Sequence, residues 1–170
     1  MKQLNPKRTP SSRILYLSQA GLIAALYVVL TLLAGAFGLS SGVIQLRVSE
    51  ALCILPIFIP AAIPGLTVGC LISNLLTSAI WQDVLFGTLA TLIGAIGARL
   101  LRRLPLLSPL PTVLANTVII PFVLAYGYRF EGGISYFMLT VGIGEVLSAY
   151  VLGLFLYFAL RRYGRSMFKG

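Results

Sequence analysis

From Ala51 to Gln82 the chain runs for 32 residues without a charged side chain, and prolines at 56, 60 and 64 interrupt that run. A helix rises about 1.5 Å per residue, so crossing a hydrocarbon core of about 30 Å takes roughly 20 residues. The stretch is therefore too long for one straight span and short for two full ones. Proline removes a backbone donor and biases the residue before it away from helix. The segment "IPAAIPG" thus reads as a turn joining a short helix, about 47–59, to another, about 63–79.

The remaining apolar runs extend this pattern to six spans in an all-α, polytopic membrane protein. The first is predicted from Ile14 to about Phe37, followed by the loop "GLSSGVIQ". A fourth runs from about Asp83 to Leu101, a fifth from Pro111 to Tyr128 after the loop "RRLPLLSPLP", and a sixth from Ser135 to Leu160. Composition agrees: 58% of residues are hydrophobic and 10% are charged, against about a quarter charged in a soluble domain. The first apolar run is too long for the core of a cleavable signal peptide. The predicted organisation is a basic segment 1–13, a six-helix membrane domain 14–161 and a basic tail 162–170.

Charge placement orients the bundle. With both termini cytoplasmic, the inner segments hold Lys2, Lys7, Arg8, Arg13, Arg99, Arg102, Arg103, Arg161, Arg162, Arg165 and Lys169. Only Arg47 and Arg129 fall outside, as the positive-inside rule requires. A five-span alternative would put the basic tail outside. The net charge of +9 thus reads as membrane topology, and no nucleic-acid partner is expected.

The four acids lie in the outer half or near the middle. An ionised carboxylate in hydrocarbon costs at least about 2.5–3.5 kcal/mol, which makes an intramembrane acid a candidate functional group. Glu50 opens the second helix, with Arg47 one turn earlier as a simple ion-pair partner. Asp83 opens the fourth helix, where a capping role competes with binding. Glu145 sits deep in the sixth, beside Gly142 and Gly144 and far from any cytoplasmic base, while Glu131 reads as a solvated loop residue. Thr67, Cys70, Asn74, Thr77 and Ser78 form a mildly polar stripe on the third helix. On the fifth, Thr112 and Asn116 lie one turn apart, a spacing that also serves to join helices. Trp81, Tyr126, Tyr128 and Tyr136 suit an interfacial belt, and Trp81, two positions from Asp83, also suits a wall for a planar ligand. Together these residues predict a pocket open to the outside.

Small residues mark close helix approaches. In "SQAGLIAALY", Ala20 precedes Ala24 and Gly21 precedes Ala25 by four positions, a strip that either packs internally or docks a partner. Gly87, Ala90, Gly94 and Ala98 read as packing within the bundle. Histidine is absent, which excludes histidine catalysis and histidine metal ligation. Cys53 and Cys70 read as small hydrophobes, and no metal or cofactor is expected.

The runs "QLRVSEALCILP", "PAAIPGLTVGCLISNLL" and "WQDVLFGTLATLIGA" resemble the queuosine-precursor transporter family, QueT, with similarity in one block order from about Ala20 to Leu160. The resemblance is strongest at Val48–Pro56, Ala61–Asn74 and Asp83–Leu92, and weaker at the "GIGE" that ends on Glu145. It implies the six-helix fold of the substrate-binding S component of an energy-coupling factor (ECF) transporter. It also implies a 7-deazaguanine ligand, such as queuine or its 7-cyano and 7-aminomethyl precursors. The implied partners are a membrane coupling subunit and two cytoplasmic ATPases, with the small-residue strip of the first span as docking surface. No phosphate-binding loop of the G-x-x-x-x-G-K-[ST] kind is present, so ATP hydrolysis falls to those partners.

Such a base offers a ring N–H beside an exocyclic amine, two parallel donors that one carboxylate accepts together. The resemblance therefore points to Glu50, Asp83 and Glu145 as acceptors, Asn74 at the carbonyl edge, Trp81 as a stacking surface and Arg47 holding Glu50 ionised. An S component for another vitamin, such as thiamine, and a non-transport membrane subunit remain open alternatives.

Overall fold

A computed structural model describes residues 12–38 and 46–167. Lys2, Lys7, Arg8, Lys169 and the loop residues 39–45 lie outside the described residues. The first helix, Ser12–Ala36, is followed by a 3-10 helix, Val48–Ile57, and by helices at Ala62–Leu76 and Trp81–Leu100. The fifth runs from Leu110 to Gly127, its last five residues a π-helical turn. The sixth comprises Ile134–Glu145, a π-helical stretch Val146–Leu152 and Gly153–Met167. The first, fourth, fifth and sixth are long and apolar enough to cross a membrane, and the second and third are shorter apolar helices. Number and order match the six segments read from the sequence.

The prolines act where expected but differently from one another. The second segment is wound as a 3-10 helix through Pro56 rather than as an α-helix. Pro60 has no N–H, so it cannot serve the Pro56 carbonyl four residues back. Arg99, in the last turn of the fourth helix, does so instead, donating to the carbonyls of Pro56 and Ile57 at 3.0 Å each. Arg99→Met is expected to lower stability by about 2 kcal/mol, since charge-assisted bonds to two carbonyls are lost. A fall in the thermal midpoint of detergent-purified protein, partly reversed in Arg99→Lys, would be the sign. Pro121 similarly leaves the Thr117 carbonyl without its helical donor, and the π turn follows directly.

The bundle is apolar outside and small or polar inside. Leu17, Phe37, Leu100 and Phe155 are each more than 65% exposed, the arrangement expected where lipid is the solvent. The buried set includes Ser49, Glu50, Ser73, Asn74, Asp83, Thr91, Thr112, Asn116, Glu145 and Ser148. Gly94 and Gly97 lie against Thr112 and Pro111, so closely that a Cβ would fall 2.4–2.5 Å from their side chains. Gly87, Ala90, Gly94 and Ala98 are all buried, matching their reading as internal packing.

The strip on the first helix divides. Ala20 and Ala24 meet the third helix at Gly65 and Gly69, where an added Cβ would lie 2.7 Å from the Ala20 carbonyl oxygen and 3.0 Å from that of Ala24. Their docking role is therefore corrected: these two alanines are used inside the bundle, because two glycines one turn apart let the backbones nearly touch. Gly21 and Ala25 face outward, and nothing lies within 4 Å of a Cβ built on Gly21.

Candidate ligand-binding site

A cavity of about 330 Å³ opens where the first five helical segments converge. Tyr27 and Thr31 reach it from the first helix, Arg47 and Ser49 from the start of the second, Asn74 and Thr77 from the third and Asp83 from the fourth. Leu124, Tyr128 and Phe130 close it from the end of the fifth helix and the turn beyond. The volume is at the lower end of small-molecule sites, and a few convergent polar groups are what such sites use for orientation.

Asp83 is the best-placed acid. One oxygen accepts from the Tyr128 hydroxyl at 3.0 Å; the other lies 3.8 Å from the Arg47 guanidinium and is otherwise buried without a hydrogen-bond partner. Partial burial, and then the Asp83 carboxylate, push the Tyr128 phenol above its usual range. Asn74 donates to the Asp83 main-chain carbonyl at 3.3 Å. Gly87 makes room for this pair, since a Cβ there would stand 3.1 Å from the Asn74 amide nitrogen and 3.2 Å from an Asp83 oxygen.

Glu50 lies beneath the cavity rather than in its wall and is fully buried. The Tyr27 hydroxyl donates to one of its oxygens and the Cys53 thiol to the other at 3.0 Å. Arg47 ion-pairs with Asp83, and no Arg47–Glu50 pair is found among the described residues. Arg47 precedes the helix with ψ of 82°, outside helical geometry, so the i, i+3 helical spacing that would pair it with Glu50 does not hold.

Deeper still, Arg47, Ile120, Val141 and Glu145 line a second cavity of about 10 Å³. Glu145 is 5% exposed and Asn116 1% exposed, and among the described residues one Glu145 oxygen and both Asn116 amide atoms are without a well-formed hydrogen bond, although the two side chains are neighbours. Arg47 lines both cavities.

Trp81 is corrected. It is 68% exposed and lines an apolar outer groove of about 440 Å³ with Leu71, Leu85 and Leu89. Residues two apart on an α-helix point about 200° apart, so Trp81 and Asp83 cannot share a face. The aromatic walls of the polar cavity are Tyr27, Tyr128 and Phe130. A further apolar groove of about 480 Å³ lies between the fourth and fifth helices. Both grooves exceed the polar cavity in volume, but neither gathers charged groups. Sequence reasoning passed over Tyr27 and Thr31, although their four-residue spacing from Ile23 and Tyr27 puts them on the buried stripe. In linear order Tyr128 shows only as part of an aromatic belt.

An all-helical bundle with a lipid-compatible exterior, long apolar helices and a polar cavity among them is a polytopic membrane protein. Residues 17–162 match the QueT transporter family, and the chain belongs to that family. It is 47% identical over 72 residues to the queuosine precursor transporter QueT of Lactococcus lactis subsp. cremoris (strain MG1363). That stretch covers 42% of this chain and 42% of the relative, well under two thirds of either. No solved structure matches the chain.

Proposed function

We propose that the chain binds queuosine precursors from outside the cell as the membrane-embedded S component of an ECF-type importer. The ligand class is a 7-deazaguanine: queuine, or its 7-cyano or 7-aminomethyl precursor. The observation that carries this reading is the buried, incompletely partnered Asp83 carboxylate in the wall of a polar cavity, in a chain of the QueT transporter family. An acceptor-rich carboxylate beside an amide and a phenol suits a ligand rich in N–H donors. Asp83, Asn74 and Arg47 are the proposed contacts, while Glu50 holds Tyr27 in place from below.

The proposed setting is the plasma membrane with both termini cytoplasmic. A membrane coupling subunit and two cytoplasmic ATPases supply the energy, and the outward Gly21 and Ala25 offer a smooth surface for the coupling subunit. The test is titration of detergent-purified chain with queuine and its two precursors, with thiamine, riboflavin and guanine as controls. Saturable sub-micromolar binding confined to the deazaguanines is the expected result. Binding of thiamine alone would keep the transport class and replace the cargo; binding of none would overturn the reading.

A further inference from the structure

Directly below the polar cavity, Glu145 and Asn116 are buried neighbours, and among the described residues one Glu145 oxygen and both Asn116 amide atoms lie outside good hydrogen-bond geometry with any partner. Buried polar groups are nearly always paired, so such a cluster marks a place where a ligand or water completes the bonding. The two residues are level with each other. Asn116 lies eleven residues before the end of the fifth helix at Gly127, and Glu145 eleven residues after the sixth begins at Ile134. At about 1.5 Å per residue each is about 16 Å from the pocket end of the bundle. Ile120, one turn from Asn116, and Val141, one turn from Glu145, line the same small cavity. Arg47 lines both this inner cavity and the outer one.

Resting on the functional reading above, we infer that the site has two ends: Glu145 and Asn116 read the base edge, and Asp83 reads the substituent at position 7. The inner end offers a carboxylate and an amide side by side. Against a deazaguanine, Glu145 accepts the ring N–H and the exocyclic amine, while the Asn116 amide donates to the ring carbonyl. This is a donor–donor–acceptor match that Asp83 lacks. The inner cavity of about 10 Å³ is roughly one water in size. The base edge reaches Glu145 once the Arg47 guanidinium shifts aside, and its own N–H groups take over the face that Arg47 presents. The outer end is wider and wetter, which suits a charged aminomethyl group that is costly to dehydrate.

The test is a set of Kd values for 7-cyano-7-deazaguanine, which is neutral at position 7, and 7-aminomethyl-7-deazaguanine, which is cationic there. They are measured on the native chain, Glu145→Gln, Asn116→Leu and Asp83→Asn. Glu145→Gln and Asn116→Leu are expected to weaken both ligands equally, by about 10- to 100-fold for Glu145→Gln. Asp83→Asn is expected to weaken the aminomethyl compound by about tenfold and the cyano compound by less than threefold. Unliganded thermal midpoints within a few degrees of native separate lost contacts from lost folding. Unchanged affinities in Glu145→Gln would overturn the inference while leaving the functional reading intact. So would a selective loss of the aminomethyl ligand in that variant, or an equal loss of both in Asp83→Asn. Failure of the native chain to bind either compound would overturn the functional reading and the inference with it.

Discussion

Gly69→Val is expected to unfold or severely destabilise the protein, with a loss of about 3 kcal/mol or more. A Cβ at this position would lie 2.8 Å from the Tyr27 Cβ, 3.0 Å from the Ala24 carbonyl oxygen and 3.1 Å from the Ala24 Cα. Two of those atoms are backbone, so relief requires the first and third helices to separate rather than a side chain to turn. Overpacking of this kind costs about 1–3 kcal/mol by itself. The separation also carries Tyr27 away from Glu50, and a buried acceptor losing a donor costs about 1–3 kcal/mol more. Because Tyr27 lines the polar cavity, ligand affinity should fall together with stability. Gly21→Val is the matched control. It sits on the same helix pair but meets nothing within 4 Å, so a change within about 0.5 kcal/mol is expected. Thermal midpoints of the two variants in detergent decide the matter, and equal shifts would contradict the packing described.

Arg47→Met is expected to destabilise the chain by about 3 kcal/mol. The Arg47 and Asp83 side chains are 21% and 10% exposed, so the pair is mostly withdrawn from solvent. Removing one partner of such a pair leaves an uncompensated charge, at a cost of about 3–5 kcal/mol when burial is complete. Arg47 also faces Glu145, so one substitution strips two acids of their nearest cation. The double variant Arg47→Met/Asp83→Leu should recover much of the loss, because the stranded charge goes with its partner. A coupling energy above about 1 kcal/mol in the double-mutant cycle is expected. Additive effects would mean that the two side chains do not meet in the folded protein.

These outcomes separate what is legible in linear order from what is not. Helix number, order and approximate ends were readable, because each depends on apolar run length and on proline and glycine within a few residues. Pro56, Pro60 and Pro64 located the break between the second and third segments, although not the 3-10 winding of the former. The Gly87, Ala90, Gly94 and Ala98 stripe announced internal packing, since only small residues permit backbones to approach. Helical phase alone sets Trp81 and Asp83 on opposite faces, so their separation is legible in the sequence. The partners of Glu50 and Arg47 are not legible in linear order. Tyr27 is 23 residues from Glu50 and Asp83 is 36 from Arg47, and neighbours along the chain were the only partners that spacing could nominate.

The sequence by itself determined the solvent this chain folds in, its helical segments and which acids stand inside hydrocarbon, because hydropathy and insertion cost are properties of single residues and short runs. It also carried the family, through runs of residues in one block order. Tertiary structure decided which acid faces the cavity, which one is spent holding Tyr27, and that Asn116 stands level with Glu145 across two helices. Those are facts of convergence: they depend on how helices rotate about their axes and how closely glycines let them approach. Side chains far apart in sequence acquire partners only once that packing is complete.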